Sequence, residues 1–242
     1  MEKIICINPG HGGSDPGASA AGINEKDINL SISLYQAKRF SELGWKVVLT
    51  RDKDINSSLL ESAKMVLASK SPICLSNHCN SAVNIDASGF EAIYSLKSDG
   101  SLAKTIFNSI VNTGLIKGRS IYTRESTQSP DKDYFFIIRE TPGVETIIIE
   151  YGFLSNAGDR QNLIDLNKQA QFAEAVVKAV CDFSGAPYKP SVQDPDAWKK
   201  ADIDELAKAG LLNDPEYWKQ QVNENMPVWA VMALVNRVRK MS

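Results

Sequence analysis

Only two histidines, His11 and His78, occur in 242 residues, so any chemistry that needs imidazole must run through those two positions. Cysteine is almost as scarce. The four residues Cys6, Cys74, Cys79 and Cys181 sit singly in apolar or mixed segments with no Cys-x-x-Cys pair, which excludes a disulfide framework and favours reduced thiols. Charge of either sign is not in surplus: 27 basic against 29 acidic residues give a net charge of −2. That balance supplies no electrostatic drive toward nucleic acid or a membrane surface. No apolar run approaches the ~20 residues of a membrane span. Met1-Glu2-Lys3 leads into a short strand-like run ending at Pro9, not the apolar core of a signal peptide, and a protein without an export leader is expected. What remains is ordinary for a soluble globular chain, 43% hydrophobic and 23% charged. At ~150 residues per domain the length suits one large domain plus a small module.

Strand and helix patterns alternate. Lys3-Ile4-Ile5-Cys6-Ile7-Asn8 reads as a buried strand closed by Pro9-Gly10 and the flexible stretch from His11 to Gly17. From Glu25 the period changes, and Leu30, Leu34, Ala37 and Phe40 predict an amphipathic helix stopped by Gly44. Further strands are predicted over 45–50, 72–76, 89–95 and 145–150, and helices over 59–69, 101–113 and 159–183, the last as a short helix and then a long one from near Lys168. This alternation predicts an α/β fold: an open, twisted, mostly parallel sheet with helices on both faces and functional groups at strand ends.

Composition changes at residues 184–190, where Gly185, Pro187 and Pro190, followed by Pro195, mark a linker. The expected organisation is a domain over 1–184, a linker over 185–195 and a small all-helical module over 196–242. Helices are predicted around 198–209, 215–221 and 228–239, with Pro227 in a first-turn position and Arg237, Arg239 and Lys240 at a C-terminus. From Ser191 onward the chain carries eight acidic and seven basic residues, so the module is no electrostatic anchor.

His11 follows a strand in a glycine-rich turn, and His78 follows another in Ser76-Asn77-His78-Cys79-Asn80. Glu25 opens the first predicted helix, and Glu150 ends the run Thr146-Ile147-Ile148-Ile149. In an α/β sheet all four can share one crevice, because strand C-termini and helix N-termini line one edge. A lone histidine after a strand is ordinarily structural, and a glutamate at a helix start ordinarily compensates the dipole. Here both histidines of the chain fall at strand ends, and a carboxylate closing three isoleucines is costly unless paired or functional. Two imidazoles and a carboxylate make a three-ligand zinc site with a fourth position for water, whose pKa then falls toward ~7. A second carboxylate, Glu150, would take the water proton and pass it to a leaving amine. Cys79 is disfavoured as a ligand, because adjacent residues on an extended segment point to opposite sides.

Pro9-Gly10-His11-Gly12-Gly13, Asp15-Pro16-Gly17-Ala18 and Glu25-Lys26-Asp27 with Leu30 open a series of ordered motifs. Leu49-Thr50-Arg51, Ser76-x-His78-x-Asn80, Gly89-Phe90-Glu91, Leu102-Ala103, Thr141-Pro142, and Ile149-Glu150-Tyr151-Gly152-Phe153-Leu154-Ser155-Asn156 with Asp159 follow. Over about residues 1–183 the series resembles the zinc-dependent N-acetylmuramoyl-L-alanine amidases, the amidase-3 family. The resemblance implies one zinc held by His11, Glu25 and His78, with Glu150 as catalytic carboxylate, and Asn80, Glu91 and Arg139 as substrate or supporting neighbours. It departs from the family at Leu59-Leu60-Glu61, where an arginine is usual, and at Asn77 and Cys79 around His78.

The tail, through Leu206-Ala207-Lys208-Ala209-Gly210-Leu211-Leu212, Trp218 and Met226-Pro227-Val228-Trp229-Ala230, resembles the small helical wall-binding segments of phage endolysins. Its partner is then a cell-wall polymer or a second copy of itself; Trp198, Trp218 and Trp229 form either a sugar-stacking face or core. The implied activity is peptidoglycan hydrolysis between N-acetylmuramic acid and L-alanine, causing wall lysis. The implied setting is a bacterial cytoplasm until release to the wall, with an exported autolysin as the alternative. A zinc peptidase cutting within the stem peptide and a non-catalytic wall-binding protein stay open.

Overall fold

The computed structural model describes residues 3–191 and 197–220, with side chains described over 3–191 and 203–219. The chain divides into two compact units, Met1–Pro190 and Ser191–Ser242. Four strands of the first unit run in parallel: β1 (Ile4–Pro9), β4 (Lys46–Leu49), β5 (Ile73–Asn80) and β8 (Glu145–Phe153). β6 (Phe90–Ile93) lies antiparallel to β8, and β7 (Gly118–Tyr122) runs parallel to β6, giving the order β4-β1-β5-β8-β6-β7. Between β1 and α1 (Glu25–Glu42) a two-residue-per-strand hairpin forms from β2 (Ser19–Ala20) and β3 (Ile23–Asn24).

β1 is buried along its whole length, and β8 is nearly so. Continuous burial of that kind is the signature of strands covered on both faces. On one face α1, α3 (Ser101–Val111) and α6 (Leu166–Ser184) pack on Ile5, Ile7, Leu75, Ile147 and Ile149. On the other, α2 (Leu59–Ala68) and α4 (Phe136–Arg139) cover Cys6, Cys74, Ile93 and Ile148. The α/β class and mostly parallel sheet predicted from periodicity are therefore present. α5 (Ala157–Leu163) begins at an Asn156 cap whose side chain accepts from the Gly158 and Asp159 amides.

The predicted first helix forms, but its buried face differs from the expected stripe. Leu34 is 40% exposed, while Ile28, Asn29, Ile32, Ser33, Gln36, Ala37 and Phe40 turn inward. Three of those are polar, so hydropathy alone points to the wrong side. Asn29 Nδ2 donates to the Gly10 carbonyl and to Glu25 Oε1, and the burial of Ser33 and Gln36 is compensated by one network. Asn77 Nδ2 donates to Ser33 Oγ and Gln36 Oε1, Gln36 Nε2 donates to the Tyr151 hydroxyl, and that hydroxyl donates to Asn77 Oδ1. Tyr151→Phe strands a Gln36 donor and an Asn77 acceptor without opening a cavity. It is expected to destabilise the protein by about 1–3 kcal/mol, read as a lower urea midpoint with an unchanged slope.

Past α6, Gly185 takes the left-handed conformation (φ 63°) that ends a helix without a Cβ penalty. Ala186 and Tyr188 still pack on the core. The Tyr188 hydroxyl donates to Glu174 Oε1, and Arg39 Nη2 donates to the Lys189 carbonyl. The second unit contains α7 (Ala197–Lys208) and α8 (Pro215–Gln220), tied by a 2.8 Å ion pair from Lys219 to Asp204 and by burial of Leu211 and Leu212. The helix predicted over 228–239 and the side chains of Trp198 and Trp229 lie outside the described residues.

Candidate metal centre and active site

Three elements deliver three donors to one point. β1 ends at Pro9, the Gly10 amide donates to the Asn77 carbonyl, and His11 follows at φ 63°. A non-glycine residue held in the left-handed region is a strained position that the surroundings must enforce. The hairpin then turns the chain so that Glu25, the first residue of α1, faces back over the end of β1. β5 extends further than periodicity suggests, through His78 to Asn80, because β8 pairs with it along that length.

His11 Nε2 lies 3.3 Å and His78 Nδ1 lies 2.9 Å from the same oxygen, Glu25 Oε1. One donor atom from each residue lies within 4.8 Å of the others. Donors about 2.1 Å from a tetrahedral ion are separated by about 3.4 Å, so the spacing fits a small divalent metal. The other His11 nitrogen, Nδ1, is 2.8 Å from Asp15 Oδ2, the outer carboxylate that commonly orients a metal-binding imidazole. Glu25 also accepts from Asn29 Nδ2 and from the Cys79 and Ala18 amides. Two glycines are spaces for this cluster. A Cβ at Gly10 would meet the His78 ring at 2.1 Å, and one at Gly17 (φ 65°) would meet Glu25 Oε2 at 2.6 Å.

The electrostatics are those of a buried carboxylate set between two imidazoles. Burial pushes the Glu25 carboxyl up, but hydrogen bonds and charge from His11 and His78 outweigh it and hold the group well below the usual carboxylate range. Glu25 in turn raises His11 to about 9, against the opposing effect of burial. Glu150 is directly opposite His78 across β5 and β8, and Glu91 is directly opposite Glu150 across β8 and β6. Directly opposed residues share a sheet face, so the three form a row. Burial first, then the charges of Glu25 and Glu91, raise Glu150 to about 7. Its Oε2 is buried without a hydrogen-bond partner among the described residues, although a buried carboxylate oxygen normally has one.

Asn80 and Glu91 come to this row together, Asn80 Nδ2 donating to Glu91 Oε2 at 2.8 Å. Arg139 does not. It closes α4 near the opposite sheet edge, its Nη1 donating to the Asp133 and Tyr134 carbonyls and its Nε to Glu140. It lines a separate 440 Å³ cavity with Pro72 and Glu145, the residues that precede β5 and open β8. The expectation that Arg139 neighbours the site is therefore corrected: a short helix not readable from periodicity turns it the other way. Cys79 points into the core, as alternation along a strand requires. Sequence reasoning missed Asp15 and Asn29 as partners of the cluster, and Arg119, whose Nε donates to Glu91 Oε1. Asp15 sits four residues from His11 inside a motif; for Arg119 no signal was available, because β7 itself was not predicted.

The family model described as N-acetylmuramoyl-L-alanine amidase (amidase-3) matches residues 5–182. The chain belongs to this amidase family. Among relatives, the Bacillus subtilis (strain 168) protein YqiI is 30% identical over 178 residues, covering 74% of this chain and 83% of YqiI. An endolysin of Bacillus phage SPP1 is 36% identical over 103 residues, covering 42% of this chain and 37% of the endolysin. The solved structure of an N-acetylmuramoyl-L-alanine amidase from Clostridium difficile 630 superimposes with a TM-score of 0.69 at 31% identity, over 77% of this chain and 99% of that one. The amidase thus spans most of YqiI but little more than a third of the phage enzyme.

Gly10→Ala forces the His78 ring away from Glu25. In this amidase it is expected to lower affinity for a divalent metal at least about 10-fold, the loss usual when a ligand's orienting support is removed. Competition titration against a chromogenic chelator measures it.

Proposed function

We propose that the protein is a zinc-dependent peptidoglycan hydrolase that cleaves the amide between the lactyl carbonyl of N-acetylmuramic acid and the L-alanine of the stem peptide. The observation that carries this reading is the convergence of His11 Nε2, Glu25 Oε1 and His78 Nδ1 beside the unpartnered Glu150 carboxyl. His11, Glu25 and His78 would hold the ion. Zinc bound there supplies a Lewis acid for the carbonyl and lowers the pKa of water toward ~7.

The remaining steps belong to the chain. Asp15 fixes the His11 ring by accepting the hydrogen bond of its Nδ1–H, which leaves the Nε2 lone pair free to face the metal. Asn29 and the Cys79 amide hold Glu25 against rotation. Glu150 accepts a proton from the attacking water on its unpartnered oxygen and returns it to the departing alanine nitrogen. A carboxyl raised to about 7 is matched to giving and taking a proton near neutral pH. Asn80 and Glu91 stand beside Glu150 in the same row.

The catalytic role falls to residues 1–184, and residues 196–242 bind a wall polymer or a second copy. No helix among the described residues is long and apolar enough to cross a membrane. The partial likeness to the phage enzyme supports a lytic setting, with release from the bacterial cytoplasm to the wall. Digestion of purified sacculi followed by mass spectrometry tests the reaction. Whole stem peptides with a free L-alanine amine and bare glycan strands are expected, whereas shortened stems still attached to glycan would establish a peptidase instead.

A further inference from the structure

The geometry points to Arg119 as a specificity-determining residue that receives a carboxylate on the peptide side of the scissile amide, an inference that rests on the amidase reading above. The floor of the groove is acidic: Glu25, Glu150 and Glu91 line it from β1 toward β7. An anionic substrate is repelled by such a floor unless a cation meets it. Several nearby cations are already committed. Arg51 donates to the carbonyls of Pro9, Gly10 and Lys26, Lys26 to Asp54 and the Gly13 carbonyl, and Arg160 to the Leu154 carbonyl.

Arg119 is arranged differently. Only its Nε is tightly used, at 2.9 Å to Glu91 Oε1, while Nη1 reaches the Ser88 carbonyl at a marginal 3.5 Å. Its side chain is 45% exposed although Glu91 beneath it is 10% exposed. The guanidinium carbon lies 5.1 Å from the centre of the Phe153 ring, and Phe153 is the β8 residue opposite Asn80. A buried carboxylate on one edge and a ring on one face therefore hold the plane. The Nη edge is left for a ligand, and a guanidinium edge matches a carboxylate in two parallel hydrogen bonds. The chemistry of the substrate says where that carboxylate lies. Once the lactyl carboxyl is amidated, N-acetylglucosamine and N-acetylmuramic acid carry no charge, so any anion belongs to the peptide beyond the first alanine.

The test uses the full-length zinc-loaded protein and two synthetic substrates, N-acetylmuramoyl-L-alanyl-glutamate and the same compound with both glutamyl carboxyls amidated. The wild type is expected to favour the acidic substrate in kcat/KM by about tenfold or more, the range of one charge-assisted hydrogen-bonded pair. Arg119→Ala is expected to bring the ratio close to one, mainly through KM for the acidic substrate, and Arg119→Lys to retain part of the preference. Should the alanine variant not fold, Arg119→Gln keeps the stem over Phe153 and answers the same question. Equal turnover of both substrates by the wild type, or an unaltered ratio in the variants, overturns the assignment of Arg119. Failure of the wild type to cut either compound removes instead the amidase reading, and this inference with it.

Discussion

Glu150→Gln is expected to lower hydrolysis of N-acetylmuramoyl-L-alanine bonds by about 10²–10⁴-fold, the contribution usual for a positioned general base. Zinc content and wall binding should stay at the wild-type level. The amide side chain keeps the shape and the burial but accepts no proton. Because Glu150 is not among the three donors that converge, the metal should bind the variant with its ordinary affinity. A second signature separates this role from a structural one. The folded carboxyl titrates at about 7 against an ordinary 4.5. As pH rises between those values the unfolded chain sheds its proton first, so folding stability falls through that window and remains lower above it. Metal-free Glu150→Gln lacks that penalty. It should therefore unfold at a higher urea concentration than metal-free wild type at pH 8, and at a similar one at pH 4. A catalytic residue whose loss stabilises the fold is held in place for reactivity. A variant that kept full activity, or lost stability at pH 8, would contradict the assignment.

How much of this was legible in the sequence depended on whether the relevant signal was local. Buried parallel strands announce themselves as short β-branched runs, as Ile4-Ile5-Cys6-Ile7 and Thr146-Ile147-Ile148-Ile149 do, so the sheet's centre was readable. The edge strand Gly-Arg-Ser-Ile-Tyr is partly exposed and mixed in character, and its pattern does not differ from that of a loop. Missing it meant missing Arg119. The polar interior of α1 was invisible for another reason: Ser33 and Gln36 look like a solvated face until Asn77 and Tyr151, 41 and 115 residues beyond Gln36, arrive to satisfy them. Two histidines in the whole chain did the opposite, narrowing the search for the centre to the positions that converge. Glu25 became distinguishable from an ordinary helix-capping acid only beside the family motif, since its partners come from β1 and β5.

Stripping the metal with a chelator is expected to abolish activity, and equimolar zinc to restore it. The size of the linked effects follows from the same three residues. In the metal-free protein His11 titrates at about 9 against an ordinary 6.5, held up by its hydrogen bond to Glu25. The folded state therefore carries a proton that the unfolded state has lost between those values. By linkage the stabilisation is complete below about pH 6.5 and disappears as pH rises through 9. Zinc binding must expel that proton. At pH 8, where a free imidazole is already neutral, calorimetry in buffers of differing ionisation enthalpy should register close to one proton per zinc from His11, in addition to the one that a zinc-bound water of pKa ~7 would shed. Glu25→Gln should remove the His11 share of that release at pH 8, because His11 then titrates near its ordinary value, and should weaken zinc binding as well. Loaded protein gains stability by mass action, in proportion to the logarithm of zinc over its dissociation constant. Raising pH reduces competition by protons and so tightens binding, while it removes the His11–Glu25 stabilisation from the metal-free form. The gap in melting temperature between loaded and stripped protein should accordingly widen from pH 6 to pH 9. A gap that narrowed over that range, or a proton release at pH 8 that Glu25→Gln left unchanged, would mean that His11 is not where the metal binds.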